Sequence, residues 1–219
     1  MTRFERFFIW TDFGGVLTPP IEAAMATFCL ARGIKPADLK QALEVIARRH
    51  GVADPMELID RPVMPEAKWL FELNALLAGR LPNETLADAW FDGRPANADW
   101  IKVLMDKKRA GHCVGLLSNM VPTWDNHWRH MVDVDTLFDQ VLLSFEVRAR
   151  KPEARIFELA AARAGVPAER CILVDDLLVN CDGAERAGWQ SVHFKTAGQA
   201  AERLQTLLQT QQSSLVTSQ

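Results

Sequence analysis

The chain of 219 residues has no tyrosine, four cysteines and no apolar run long enough to cross a bilayer. Each shortage closes a class of function. The cysteines (Cys29, Cys113, Cys171, Cys181) are scattered, with no CxxC and no Cys/His cluster. They read as reduced, buried thiols rather than as disulfide or zinc partners. Charge of one sign is also scarce: the formal net charge is −3 at pH 7. That leaves no electrostatic footprint for nucleic acid or an anionic membrane surface. The opening MTRFERFFIW carries charges within its first six residues, and its apolar run is too short for a signal peptide or a span. A cytoplasmic setting is the expectation. What the chain has is apolar residues, 48% of the total, enough for a sizeable core.

The organising stretch is FFIWTDFGGVLT, residues 7–18. Phe7 to Trp10 have the composition of a strand buried on both faces. The run ends at Asp12, and Gly14 and Gly15 follow, which lets the backbone turn tightly and approach a ligand. Further short apolar runs at 112–117, 140–144, 171–174 and 191–194 read as strands. Amphipathic spacing between them predicts helices at 97–110, 123–131, from 152 to 164, up to 187, and at 197–208. Between the first two strands lies an all-helical block, with helices at 21–31, 35–49, 66–78 and 83–91, the last capped by Asn83. Residues 51–65 are turn-rich, and the polar tail 209–219 is expected to be disordered. The fold class is therefore α/β, a Rossmann-like parallel sheet of about five strands with helices on both faces. Residues 1–18 and 95–208 form its core, and residues 19–94 form an inserted helical unit.

Four polar clusters follow strand ends or sit in the loops beyond them: Asp12, Ser118–Asn119, Lys151 and Asp175–Asp176. Each alone has a dull explanation, as a turn aspartate, a helix cap, a solvated lysine or a loop acid pair. Together they stand on the one edge of a parallel sheet where ligands bind.

The motifs DFGGVLT, LLSN, RKP and LVDDLLVN, in that order, resemble the four motifs of the haloacid dehalogenase superfamily. SFEVRARKPEARIFELA and DDLLVNCDGAERAGW look most like the subgroup related to the phosphatase domain of bifunctional epoxide hydrolases. The resemblance implies that 19–94 is a cap over the active edge. It implies a hydrolase in which Asp12 attacks phosphorus to give an aspartyl-phosphate. Mg²⁺ would be held by Asp12, Asp176 and the carbonyl of Gly14. Ser118 would bind a phosphoryl oxygen with support from Asn119, Lys151 would neutralise charge, Asp175 would orient Lys151 or the metal water, and Asn180 would buttress the loop. The substrate would be a small phosphorylated metabolite, and the cap helices could support a homodimer. With a bound phosphate dianion the three aspartates total −5, which Mg²⁺ and Lys151 offset by +3. Like charges about 4 Å apart repel by roughly 4 kcal/mol at an effective dielectric of about 20, so both cations are needed.

One position departs from the pattern. Gly14 stands where phosphatases of this family carry an aspartate that serves as general acid and base. Two alternatives follow: a catalytically silent or regulatory binding protein, or a metal-free 2-haloacid dehalogenase, which the acid pair disfavours. An active enzyme would do best with a good leaving group, such as a sugar 1-phosphate or an acyl phosphate. Otherwise it would draw a proton from the cap, where Glu22, His50 and Lys68 have the right chemistry. Arg61 and Trp69 are candidates for the lid lining. His127 and His130 have the spacing of a metal pair but no third ligand nearby.

Overall fold

The structure, a computed structural model, describes residues 6–216. Strand β1 (Phe8–Thr11) leads into α1 (Ile21–Ala31), α2 (Pro36–His50), α3 (Glu57–Asp60), α4 (Glu66–Leu76) and α5 (Ala87–Phe91). The chain then alternates through α6 (Ala98–Arg109), β2 (Cys113–Ser118), α7 (Asp125–Arg129), α8 (Val134–Leu137), β3 (Gln140–Leu143) and α9 (Ser144–Val147). It closes with α10 (Ala154–Ala164), β4 (Cys171–Asp175), α11 (Leu178–Arg186), β5 (Gln190–His193) and α12 (Ala197–Val216).

The five strands form one parallel sheet in the order β3-β2-β1-β4-β5. Ile9 of β1 pairs with Val114 of β2 on one side and Ile172 of β4 on the other. From β1 the chain builds outward through β2 and β3, then crosses to β4 and β5. The winding direction therefore changes between β1 and β4, the gap where open α/β sheets place ligands.

Side-chain alternation splits the core into two layers. Phe7 and Ile9 join Trp100, Val114 and Ile172 on one face, whereas Phe8 and Trp10 join Leu117, Phe157, Leu173 and Trp189 on the other. Gly115 makes room for this second layer: a Cβ there would lie 2.6 Å from the Trp10 ring. The tryptophans that replace tyrosine as large aromatics are largely core, with Trp10, Trp69, Trp100 and Trp128 fully buried. The four cysteines are free thiols, three of them buried.

The helical block between β1 and β2 forms as expected, with differences at element ends. Residues 83–86 do not join α5, and Asn83 is exposed outside it. The helix start is instead held from a distance: the Leu86 N–H donates to Glu66 Oε1 at 2.8 Å, and the Ala87 N–H to Thr85 Oγ1 at 3.0 Å. A buried carboxylate outcompetes a solvated asparagine because its bonds are shielded from water. The turn-rich segment contains the short α3. The helix expected at 123–131 is a 3₁₀ turn, Pro122–Trp124, followed by α7. The last helix runs to Val216 rather than stopping at 208, since no glycine or proline interrupts its Gln-rich end. Among the described residues no helix is long and apolar enough to cross a membrane.

Candidate active site

Three neighbouring strands deliver polar side chains to one edge of the sheet. Asp12 directly follows β1, and its N–H still donates to Val174 O at 2.9 Å, so the sheet fixes its backbone. Ser118 ends β2 and Asp175 ends β4, both buried. Lys151 arrives from the loop between α9 and α10, and its side chain is 1% exposed. Its Nζ lies 2.9 Å from Asp12 Oδ1 and 2.5 Å from Asp175 Oδ2. One ammonium thus bridges the ends of two adjacent strands.

The surrounding bonds hold that bridge in place. Asn119 accepts from the Lys151 N–H at 2.9 Å and donates to the Lys151 carbonyl at 3.0 Å. This two-way bond ties the lysine loop to the end of β2. The second oxygen of Asp175 accepts from the Leu177 N–H at 2.9 Å and from Asn180 Nδ2 at 3.0 Å. All four lone-pair directions of a carboxylate cannot be filled by one lysine, so these donors fix the rotamer. The sequence places Asp12, Ser118, Asn119, Lys151, Asp175 and Asn180 together, and so does the fold.

The charges do not balance. Asp12, Asp175 and Asp176 each offer an oxygen within 4.8 Å of the others, against one lysine. Burial pushes the Asp12 carboxyl up from its usual range, and the charge of Asp175 adds to this while Lys151 opposes it. Burial, with the charges of Asp12 and Asp175, lifts Asp176 to about 7. Lys151 is raised despite its burial, because the carboxylates of Asp12 and Asp175 outweigh the loss of hydration. Fully ionised, the group carries an excess of two negative charges, which matches a divalent cation. Asp12 Oδ1 is buried against the Lys151 ammonium at 2.9 Å and keeps lone-pair capacity for a further partner. Hard oxygens of this kind suit Mg²⁺. Gly14 lines the same cavity. Gly15, at φ +72°, must lack a side chain: a Cβ there would fall 2.1 Å from Asp176 Oδ2.

A cavity of about 260 Å³ opens over these groups and runs up into the helical block. Its walls include Ser118, Asn119 and Asn180 as well as the apolar Ile21, Met25 and Trp90. Trp69 lines it while also serving as core, at 2% exposure. Glu22, His50 and Lys68 do not line it: Glu22 and Lys68 are exposed, and His50 Nε2 is 2.8 Å from Glu72. Arg61 ties α3 to the sheet domain through Glu153 at 2.8 Å rather than facing the cavity. His127 meets Asp88 at 2.8 Å, and the exposed His130 bonds the Asn126 carbonyl, so the two form no metal pair.

Sequence reasoning overlooks a second charged group in the cavity wall. Arg150 reaches Asp54 at 2.6 Å and Asp60 at 2.9 Å, locking the block to the loop that carries Lys151. Its place beside Lys151 in the RKP motif was the available signal. Glu66 is overlooked too; buried in α4, it accepts from Trp124 Nε1 at 3.0 Å and from Thr123. Amphipathic spacing gives no sign of either role.

Against known proteins, the family model described as haloacid dehalogenase-like hydrolase matches residues 9–188. A glyceraldehyde 3-phosphate phosphatase of Methanothermobacter thermautotrophicus is 33% identical over 107 residues, 46% of this chain and 45% of that protein. The enzyme of that name from Pyrococcus abyssi is 30% identical over 97 residues, 43% of this chain and 40% of its own. The chain thus spans less than half the length of these curated relatives. A HAD family enzyme of Bacteroides thetaiotaomicron, solved with magnesium and inorganic phosphate, superposes with a TM-score of 0.64 at 20% identity. That match covers 87% of this chain and 94% of that one. An L-2-haloacid dehalogenase also gives 0.64, at 22% identity over 85% of each chain. The structural matches speak to the fold. The family model spans β1 through α11 and takes in every residue of the acid–lysine cluster, and the chain accordingly belongs to the haloacid dehalogenase-like hydrolases.

Proposed function

We propose that this hydrolase is a Mg²⁺-dependent phosphomonoesterase or phosphoryl transferase acting on a small phosphorylated metabolite. The observation that carries the reading is the Lys151 bridge between Asp12 and Asp175, set beside a third acid with an unbalanced double negative charge. Asp12 is the nucleophile. One of its oxygens forms a bond to phosphorus as the ester P–O bond breaks, giving an aspartyl-phosphate. The departing oxygen takes a proton from water, since Gly14 has none to give. Water then attacks the aspartyl-phosphate, releasing phosphate and restoring the carboxylate. Lys151 holds Asp12 aligned and offsets charge on the phosphoryl oxygens, and Ser118 hydrogen-bonds one of them. Asn119 and Asn180 act through Lys151 and Asp175. Mg²⁺ would be held by Asp12, Asp176 and the carbonyl of Gly14, and when bound it stabilises charge on the transferring group. The phosphatase names of the partial relatives support a phosphorylated substrate.

A phosphate-release screen over metabolites with Mg²⁺, run beside Asp12→Asn, tests this. Turnover that vanishes in the variant and on chelation is expected. Halide release from a 2-haloacid that survives EDTA would instead favour the metal-free dehalogenase chemistry, to which three clustered acids offer no advantage. Gly14 favours a second reading, a phosphate-binding protein without turnover. No beryllofluoride adduct at Asp12 and no phosphate release from any substrate would support it.

A further inference from the structure

The acids and Lys151 occupy only the floor of the cavity. Above them the wall is built by Ile21 and Met25 of α1, Leu43 of α2, Met56, Leu73 of α4 and Trp90 of α5. Most polar groups that share this wall are already engaged. Arg150 is neutralised by Asp54 and Asp60. The Arg94 guanidinium lies over the Trp90 ring at 4.2 Å. Among the described residues, two polar atoms of the upper wall, Asp60 Oδ1 and Trp69 Nε1, are buried without a hydrogen-bond partner. A polyol bound here would find few partners and would strip water from most of its hydroxyls.

We propose that the substrate is a phosphate monoester whose leaving group is an apolar alkyl or aryl body, seated against the α1, α2, α4 and α5 side chains. The proposal rests on the phosphatase reading above and specifies its substrate class. It separates this chain from its partial relatives, because the small, hydrated triose phosphate in their name has nothing to place against such a wall.

Straight-chain alkyl phosphates test it, since their alcohols leave with similar basicity and only apolar surface changes along the series. Each methylene moved from water to an apolar wall is worth roughly fourfold. From ethyl to hexyl phosphate, kcat/KM should therefore rise on the order of a hundredfold, and hexyl phosphate should exceed glycerol 3-phosphate by at least tenfold. Hexylphosphonate should raise the melting temperature of the Mg²⁺-loaded protein more than methylphosphonate does, a readout independent of turnover. Replacing Met25 by the isosteric polar residue (Met25→Gln) should lower the hexyl-to-glycerol preference. A flat or falling series with acetyl phosphate still hydrolysed would overturn the apolar assignment and leave the phosphatase reading standing. No release from any of these esters, acetyl phosphate included, would overturn both.

Discussion

Restoring a carboxylate at position 14 is the sharpest probe of the proposed chemistry. The backbone permits it: Gly14 is not among the positive-φ glycines, and a Cβ there meets only Ile21, with Cδ1 at 3.1 Å. That atom is the free end of a flexible side chain, so Gly14→Asp needs a shift of a few tenths of an ångström. Ile21→Val can be combined with it if crowding persists. The new acid would join three others, and a further like charge about 4 Å away costs roughly 4 kcal/mol at an effective dielectric of about 20. That cost favours the protonated form, which is the state a general acid must hold near neutrality.

General acid–base help is typically worth about 10²–10⁴-fold. Gly14→Asp should therefore raise kcat by about that factor on alkyl phosphates, whose alcohols leave poorly without a proton. It should leave the first step on acetyl phosphate, read as the rate of the burst, little changed, because acetate needs none. In rapid mixing, a burst equal to the enzyme concentration should mark the wild type on acetyl phosphate, where the second step has no base, and should shrink in the variant. A folded, Mg²⁺-binding Gly14→Asp protein with no gain on alkyl phosphates would refute the role assigned to this position. A burst rate on acetyl phosphate raised as much as turnover of the alkyl phosphates would refute it as well.

Four further outcomes test the site. Lys151→Met should abolish turnover and lower stability by about 3–5 kcal/mol in urea unfolding, the cost of leaving buried charges unpaired. Adding Asp175→Asn should recover part of the stability and none of the activity. Gly15→Ala should weaken Mg²⁺ binding by calorimetry, because its Cβ and the Asp176 carboxylate claim the same space; unchanged affinity would rule out Asp176 as a ligand. Mg²⁺ at a hundred times its dissociation constant should stabilise the wild type by about 2.7 kcal/mol and leave Asp12→Asn nearly unmoved in a thermal melt. Burial lifts Asp60 from 3.8 to about 7, so the folded chain holds a proton there that the unfolded chain has lost. Stability should then fall as pH rises from about 4 to 7. Asp60→Asn should flatten that part of the urea-midpoint profile, and an unchanged slope would assign it to another group.

The sheet and its acidic edge were legible because buried parallel strands announce themselves. FFIWT and CILV are uninterrupted runs of apolar and β-branched residues that stop at a charge, and the stopping residues, Asp12 and Asp175, are the ones that meet Lys151. The helical block was legible as helices for the same reason: its apolar residues recur at helical spacing. Its internal wiring was not. Glu66 looks like a first-turn acid of an amphipathic helix, yet it is 4% exposed and holds the start of α5 from 20 residues away. Local propensity favoured Asn83 as that cap, and a buried long-range bond overrode it. Asp60 and Arg150 pair across 90 residues, a separation no periodicity encodes.

Spacing is equally silent about whether an apolar helix residue fills a core or walls a cavity, since both need the same face. Ile21, Met25 and Leu43 are half-buried rather than buried, and that distinction exists only in three dimensions. It bears on the question Gly14 raises. A missing proton donor favours leaving groups that depart as stable anions, which by itself suits a sugar 1-phosphate and an acyl or aryl phosphate alike. The wall separates them. Each sugar hydroxyl buried without a partner costs about 1–3 kcal/mol, whereas an acyl chain or an aromatic ring gains from the same surface. On the proposed chemistry, the wall thus selects for an apolar body, alkyl or aryl, and Gly14 independently ranks those that leave without help above those that do not.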